Sequence, residues 1–169
     1  ESVAAGGAGA GYRSQLEHKL RQGLPGTRWS IRPPIYRDEA LAEFYRSLDI
    51  FCYPSLAAEG ETFGVAVAEA MAAGAAPVVS DLACFRDFVR AEVSGVVFDH
   101  RGPDAVQQLA DALAKLIRDP ARRQSLASTA QSDVRRYDYA DYAKTLADDF
   151  ERLLAPNAGA ASHDSPRSR

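Results

Sequence analysis

The sequence predicts a doubly wound α/β fold, a mainly parallel sheet with helices on both faces. Short apolar runs alternate with helical segments about five times along the chain. That order belongs to parallel strands joined by crossover helices. The run Asp49 to Pro54 is apolar throughout and stops at a proline, which suits a buried parallel strand. Gly74 closes one helical segment, and Pro103 and Pro120 open two others, the positions those residues favour.

Taken in order, residues 1 to 11 read as the tail of a strand running into a glycine-rich turn. Tyr12 to Gln22 puts Tyr12, Leu16 and Leu20 on one helical stripe. Gly23 to Gly26 ends that helix, and Trp29 to Arg32 reads as a short strand before Pro33-Pro34. Asp38 caps a helix from Glu39 to Ser47 with Leu41, Phe44, Tyr45 and Leu48 inward. After the Asp49 strand come a polar loop, Ser55 to Glu61, and a helix from Phe63 to Ala73. Ala76 to Ser80 and Gly95 to Phe98 are strands, separated by a loop and short helix over Asp81 to Val89. Pro103 to Arg118, Pro120 to Arg136 and Tyr139 to Leu154 are helices, with Tyr137, Tyr139 and Tyr142 packing the last one down. The expected domain covers residues 1–155, and residues 156–169 read as a disordered tail.

The 169 residues are enough for one packed domain, and the net charge of -3 gives no basic field for nucleic acid. Cys52 and Cys84 lack metal-ligand spacing, and Cys52 reads as a reduced core thiol. No apolar run approaches the ~20 residues that span a bilayer, and no signal peptide is visible. A cytoplasmic protein is expected, with at most peripheral contact at the inner membrane face. The chain opens without an initiator Met and is expected to be part of something longer. His18, His100 and His163 have no partner at a suggestive spacing and read as surface residues.

In doubly wound sheets ligands bind beyond the carboxyl ends of the strands, where loops become helix N-termini. Two segments combine that position with suitable residues, Gly6 to Gly11 and Ser55 to Gly64. In the second, backbone N–H groups at Phe63, Gly64 and Val65 can face an anion, and Gly64 leaves room for a phosphate. Glu61 stands at the mouth of the loop, and Glu69 follows about two turns along on roughly the same helical face. Two carboxylates so placed suit pairs of vicinal hydroxyls. The same residues also suit a helix with an acidic first turn and one solvated glutamate. Gly6 to Gly11 suits a flexible linker equally well.

The stretch from Tyr53 to Asp81, with Leu48 to Ser55 before it, Gly95 to Phe98 after it and Arg136 to Tyr139 further on, resembles the C-terminal domain of GT-B glycosyltransferases. More narrowly it is similar to the retaining group 1 family, whose motif is Glu, seven residues, then Glu. The resemblance spans about residues 3 to 155 and implies the Rossmann-like, nucleotide-sugar-binding half of a two-domain, hexosyltransferase-type enzyme. It implies that Glu69 binds the ribose hydroxyls of the donor. Glu61, the catalytic candidate, contacts the donor sugar and helps position the leaving group's face. Thr62 belongs to the same donor-binding segment, and the backbone of Phe63, Gly64 and Val65 holds the sugar and distal phosphate. Gly6 and Gly7 match a glycine turn beside the nucleotide.

The resemblance also implies a nucleotide-diphosphate sugar as substrate, no metal cofactor, and a glycan, lipid-linked or small-molecule acceptor bound through an N-terminal domain. The chain departs from the family pattern at Ala83, Cys84 and Asp87, where a Gly-Gly pair and a Glu are usual, and at Gly74 to Pro77, a turn one residue longer. Asp87 is a secondary candidate and Arg86 a solvated loop charge. The Arg and Lys that clamp the diphosphate lie upstream in the family, so this chain alone is expected to bind donor weakly and turn over poorly. Two other readings are a non-catalytic interaction module that retains the fold, and a domain for NAD. The second is disfavoured because Pro25 to Arg32 offers no acidic residue after the glycine turn.

Overall fold

A computed structural model of the chain describes residues 10–57 and 61–154. The chain divides into two units, Glu1–Asp38 and Glu39–Arg169. In the first, helix α1 (Ala10–Gly23) is tied along one face by Glu17, which pairs with Arg13 at 3.1 Å and Arg21 at 3.4 Å. Ala10 and Gly11, expected in the glycine turn, already belong to this helix. Gly6, Gly7 and the strand expected with them lie outside the described residues, as does the tail 156–169. Trp29 to Arg32 form no strand. Pro33 and Pro34, directly after, have no N–H to extend a ladder.

The second unit runs α2 (Asp38–Arg46), β1 (Ile50–Tyr53), α3 (Val65–Ala72), β2 (Ala76–Ser80), β3 (Val96–Phe98), α4 (Ala105–Arg118), α5 (Pro120–Val134) and α6 (Tyr139–Leu154). Single 3-10 turns cover Ala83–Asp87 and Arg135–Tyr137. The three described strands form a sheet in the order β1-β2-β3, and both pairings are parallel, as the alternation requires. Ile50 lies opposite Ala76, and Val78 opposite Val96. All five residues of β2 are buried, because it has a strand on each side and helices over both faces. β1 is only half-buried.

Side chains alternate along a strand, so neighbours in β2 serve opposite layers. Val79 packs with Val67 and Met71 of α3, with Phe85 and Phe88, and with Ala130 and Val134 of α5. Val78, Ala76 and Phe98 pack with Ala112 and Leu116 of α4 and with Leu126 and Ala127 of α5. Each large side chain buried this way contributes about 2 kcal/mol of transfer free energy. A third cluster joins Tyr45 of α2 to Ala70 and Ala75, with Leu41, Phe44 and Leu48 against it, so the expected inward face of α2 is the one that packs. Gly74 ends α3 at φ +92, a left-handed turn that favours glycine. Asp119 caps α5 by accepting from the Arg122 N–H at 2.9 Å, with Pro120 in the first turn.

α6 departs from expectation. Its sixteen residues include none that is buried. Tyr139 is 85% exposed and Tyr142 61%, so neither packs the helix down. Only Tyr137, ahead of the helix, fulfils that expectation, with its ring 5.4 Å from Phe63 and 6.1 Å from Phe88.

Candidate functional site

The chain leaves β1 at Tyr53, turns at Pro54 and reaches α3 through Glu61, Thr62, Phe63 and Gly64, with residues 58–60 outside the described part. Gly64 is the N-cap of α3 at φ 81 and ψ 51, and no side chain caps the helix. The first N–H groups of a helix have no partner within it, so this end carries partial positive charge beyond the carboxyl end of β1. Glycine is needed here for a reason the sequence did not reveal. A Cβ on Gly64 would stand 2.4 Å from Cε1 of Phe85. On the side where a Cβ would point, the space is therefore taken by a core ring.

Phe63 turns its ring inward onto Phe88 at 5.0 Å and Tyr137, which fixes the backbone just before the cap. Thr62 and Val65 are exposed on either side. A groove of about 520 Å³ runs along α3 and is lined by Phe63, Val65, Glu69, Gln131 and Tyr137, among others.

The two motif carboxylates do not share a helical face. Glu69 is in α3, whereas Glu61 precedes the cap in the loop, since Gly64 delays the helix to Val65. Each is instead held by a tyrosine. The Tyr45 hydroxyl of α2 donates to Oε2 of Glu69 at 3.1 Å. The Tyr53 hydroxyl, at the end of β1, donates to Oε2 of Glu61 at 3.0 Å. Burial first, then the Glu69 charge, pushes the Tyr45 phenol up to about 12. Burial and the bond to Glu61 push the Tyr53 phenol up as well. Burial and the Glu61 carboxylate do the same to the Cys84 thiol, which places Cys84 within the electrostatic reach of Glu61.

Sequence reasoning placed Tyr45 and Tyr53 only as packing residues. The available signal was Tyr53 two residues beyond Phe51, on the same strand face and at the end that feeds the loop. For Tyr45 there was none, because its bond joins residues 24 apart.

Other candidates sort differently. Arg86 is solvated, as expected, and is also paired. It grips Asp81 through both carboxylate oxygens at 2.8 Å, and its hydrogen bond holds the Asp81 carboxyl below its usual range. Arg101 donates to the Asp81 carbonyl. Asp87 offers its backbone carbonyl to Tyr137 and Arg136, a structural use. His18 is exposed, whereas His100 is half-buried with Nδ1 enclosed, so the surface reading fails for His100. His163 lies outside the described residues, as do Gly6 and Gly7. Cys52 is a free thiol, pushed up by burial. Among the described residues no group of three or more His, Cys, Asp or Glu could hold a metal ion.

The profile of the family described as Glycosyl transferases group 1 matches residues 5–133. A phosphatidyl-myo-inositol mannosyltransferase of Mycobacterium leprae is 38% identical over 117 residues, covering 69% of this chain and 30% of that protein. A D-inositol 3-phosphate glycosyltransferase of Xylanimonas cellulosilytica is 35% identical over 134 residues, covering 79% of this chain and 30% of that protein. The chain thus spans about 30% of the length of these relatives. Among solved structures, sucrose-phosphate synthase of Thermosynechococcus elongatus superposes with a TM-score of 0.68 at 22% identity, over 86% of this chain and 35% of that one. Anabaena HepE, in complex with UDP and glucose, gives 0.64 at 22% over 85% and 37%. A C-terminal domain of a group 1 glycosyl transferase from Francisella tularensis gives 0.62 at 24% over 77% and 63%. The GT-B fold is shared with these structures, and the match over residues 5–133 settles the family: this chain belongs to the group 1 glycosyltransferases.

Proposed function

We propose that this chain is the donor-binding part of a retaining glycosyltransferase that uses a nucleotide-diphosphate sugar. The observation that carries the reading is the pair of motif carboxylates, Glu61 and Glu69, each anchored by a tyrosine where a parallel strand turns into a helix. Glu69 takes the ribose hydroxyls and Glu61 the hydroxyls of the donor sugar, since carboxylates accept from vicinal diols. The N–H groups at Phe63, Gly64 and Val65 receive the distal phosphate. Thr62 lines the same segment. Transfer depends on stabilising the diphosphate leaving group and an oxocarbenium-like sugar, with basic side chains rather than a metal neutralising the phosphates. Anabaena HepE, which has the same fold, is seen with UDP and with UDP-glucose.

The names of the relatives favour an inositol-bearing acceptor, one case of the glycan, lipid-linked or small-molecule acceptors of the family. That acceptor binds outside this chain. No described helix is long and apolar enough to cross a membrane, and we place the protein on the cytoplasmic side with at most peripheral membrane contact.

A thermal-shift screen of UDP-, GDP- and ADP-sugars against the protein in its full length tests the reading. One nucleotide sugar should raise Tm, and transfer from it should retain the donor's anomeric configuration. No shift with any of them, together with unimpaired biological function in Glu69→Ala, would favour the interaction module. The chain of 169 residues alone should bind that donor weakly in isothermal titration, because it spans only about 30% of the length of its relatives.

A further inference from the structure

We propose that Tyr45 and Tyr53 are positioning residues that fix Glu69 and Glu61, and thereby set the site's affinity separately for the nucleoside and sugar portions of a donor. The inference rests on the donor-site reading above and adds two residues which that reading does not contain.

The phenols reach the carboxylates from different elements. Tyr45 stands on α2 and is 7% exposed. Tyr53 is the last residue of β1. Each donates to one oxygen, Oε2, of its glutamate. A carboxylate has a second oxygen with its own lone pairs, so a hydroxyl pair on a ligand can still be received. Hydrogen bonds from a neutral donor to a charged acceptor are among the stronger ones in proteins.

The two phenols also belong to one rigid assembly. The Tyr45 ring meets Phe51 edge-on at 5.7 Å, Phe51 stacks with Tyr53 at 6.2 Å, and Tyr53 meets Phe85 edge-on at 5.8 Å. Phe51 and Tyr53 share a strand face through the two-residue period. Phe85, in turn, is the ring that occupies the space at Gly64. One aromatic ladder therefore connects both carboxylates and the helix cap to the core. An unanchored glutamate loses rotamer freedom when it captures a ligand, and one fixed in advance loses less, which appears as affinity. With its phenol pushed up to about 12, Tyr45 remains a donor throughout the neutral range.

The test uses the full-length protein with UDP, GDP and ADP, their sugars, and the variants Tyr45→Phe, Tyr53→Phe, Glu69→Ala and Glu61→Ala. Phenylalanine keeps the ring and removes only the hydroxyl, and circular dichroism with Tm reports the fold. Tyr45→Phe should weaken the best-binding nucleoside diphosphate about tenfold and add nothing in the Glu69→Ala background. Tyr53→Phe should leave that diphosphate unchanged, while KM for the nucleotide sugar rises several-fold or kcat falls. Equal losses of diphosphate and nucleotide sugar in Tyr53→Phe, or losses that add fully to those of the alanine variants, would show a merely structural role and overturn the proposal. Wild-type behaviour of both phenylalanine variants, with the alanine variants impaired, would overturn it while leaving the donor site intact. Wild-type behaviour of the alanine variants would remove the donor site and this proposal with it.

Discussion

Helices α3 and α6 show two ways in which an α/β chain uses a helix. α3 has eight residues, of which Val67, Ala70 and Met71 are buried, and a left-handed glycine lies at each end, Gly64 and Gly74. Its one carboxylate is tied to a neighbouring element. α6 is twice as long, with an apolar stripe of Tyr139, Tyr142, Leu146 and Phe150 that stays at least 55% exposed. A short helix whose ends and contacts are fixed can hold a functional group in place. A longer one with no buried residue carries an apolar face without such anchoring. The difference lies in contacts made from outside each helix, since periodicity marks α6 far more clearly than α3.

The sharpest way to break this contrast is at the cap of α3. Gly64→Ala should cost about 3 kcal/mol or more, combining a left-handed backbone for an L-residue with a Cβ driven into Phe85. Chemical denaturation would report it, and donor affinity should fall in parallel. A change below about 1 kcal/mol would mean that the helix start is not pinned.

The next effect concerns the tie between α2 and α3. The Tyr45 phenol is raised from 10.0 to about 12, so it binds its proton more tightly folded than unfolded. The resulting stability is fully present below pH 10 and is lost as pH rises towards 12. At about 1.4 kcal/mol per tenfold change in the ionisation constant, it is worth about 2–3 kcal/mol. Tyr45→Phe lacks that proton, so the wild type should lose that much more stability than the variant between pH 10 and 12. Equal alkaline limbs would contradict the bond between the buried Tyr45 phenol and the Glu69 carboxylate.

The smallest effect belongs to α6. Leu146→Ser with Phe150→Ser should change unfolding free energy by no more than about 0.5 kcal/mol, as for other exposed positions. A loss above about 1 kcal/mol would show that the stripe is packed.

The legible part of this architecture is the part set by local chemistry. Strand β2 falls on the expected Ala76 to Ser80, Gly74 stops α3, and Pro120 opens α5. The motif spacing pointed to Glu61 and Glu69, yet it suggested one helical face, which Gly64 denies them by delaying the helix. What fixes Glu69 and the start of α3 is contact between distant residues, Tyr45 with Glu69 and Phe85 with Gly64, and neither pair leaves a periodic trace. Trp29 to Arg32 shows the converse limit, since an alternating apolar and polar stretch becomes a strand only when another strand receives its hydrogen bonds. The α6 stripe fails for the same reason: apolar periodicity says which face would pack, not what it packs on.

The central claim is that Glu69 and its tyrosine form a donor site. Isothermal titration of the full-length protein with its best nucleotide sugar, comparing wild type and Glu69→Ala at equal foldedness, tests it most directly. Losing the acceptor for two hydroxyls should weaken binding about 10- to 100-fold. Binding as tight as that of the wild type would contradict the account.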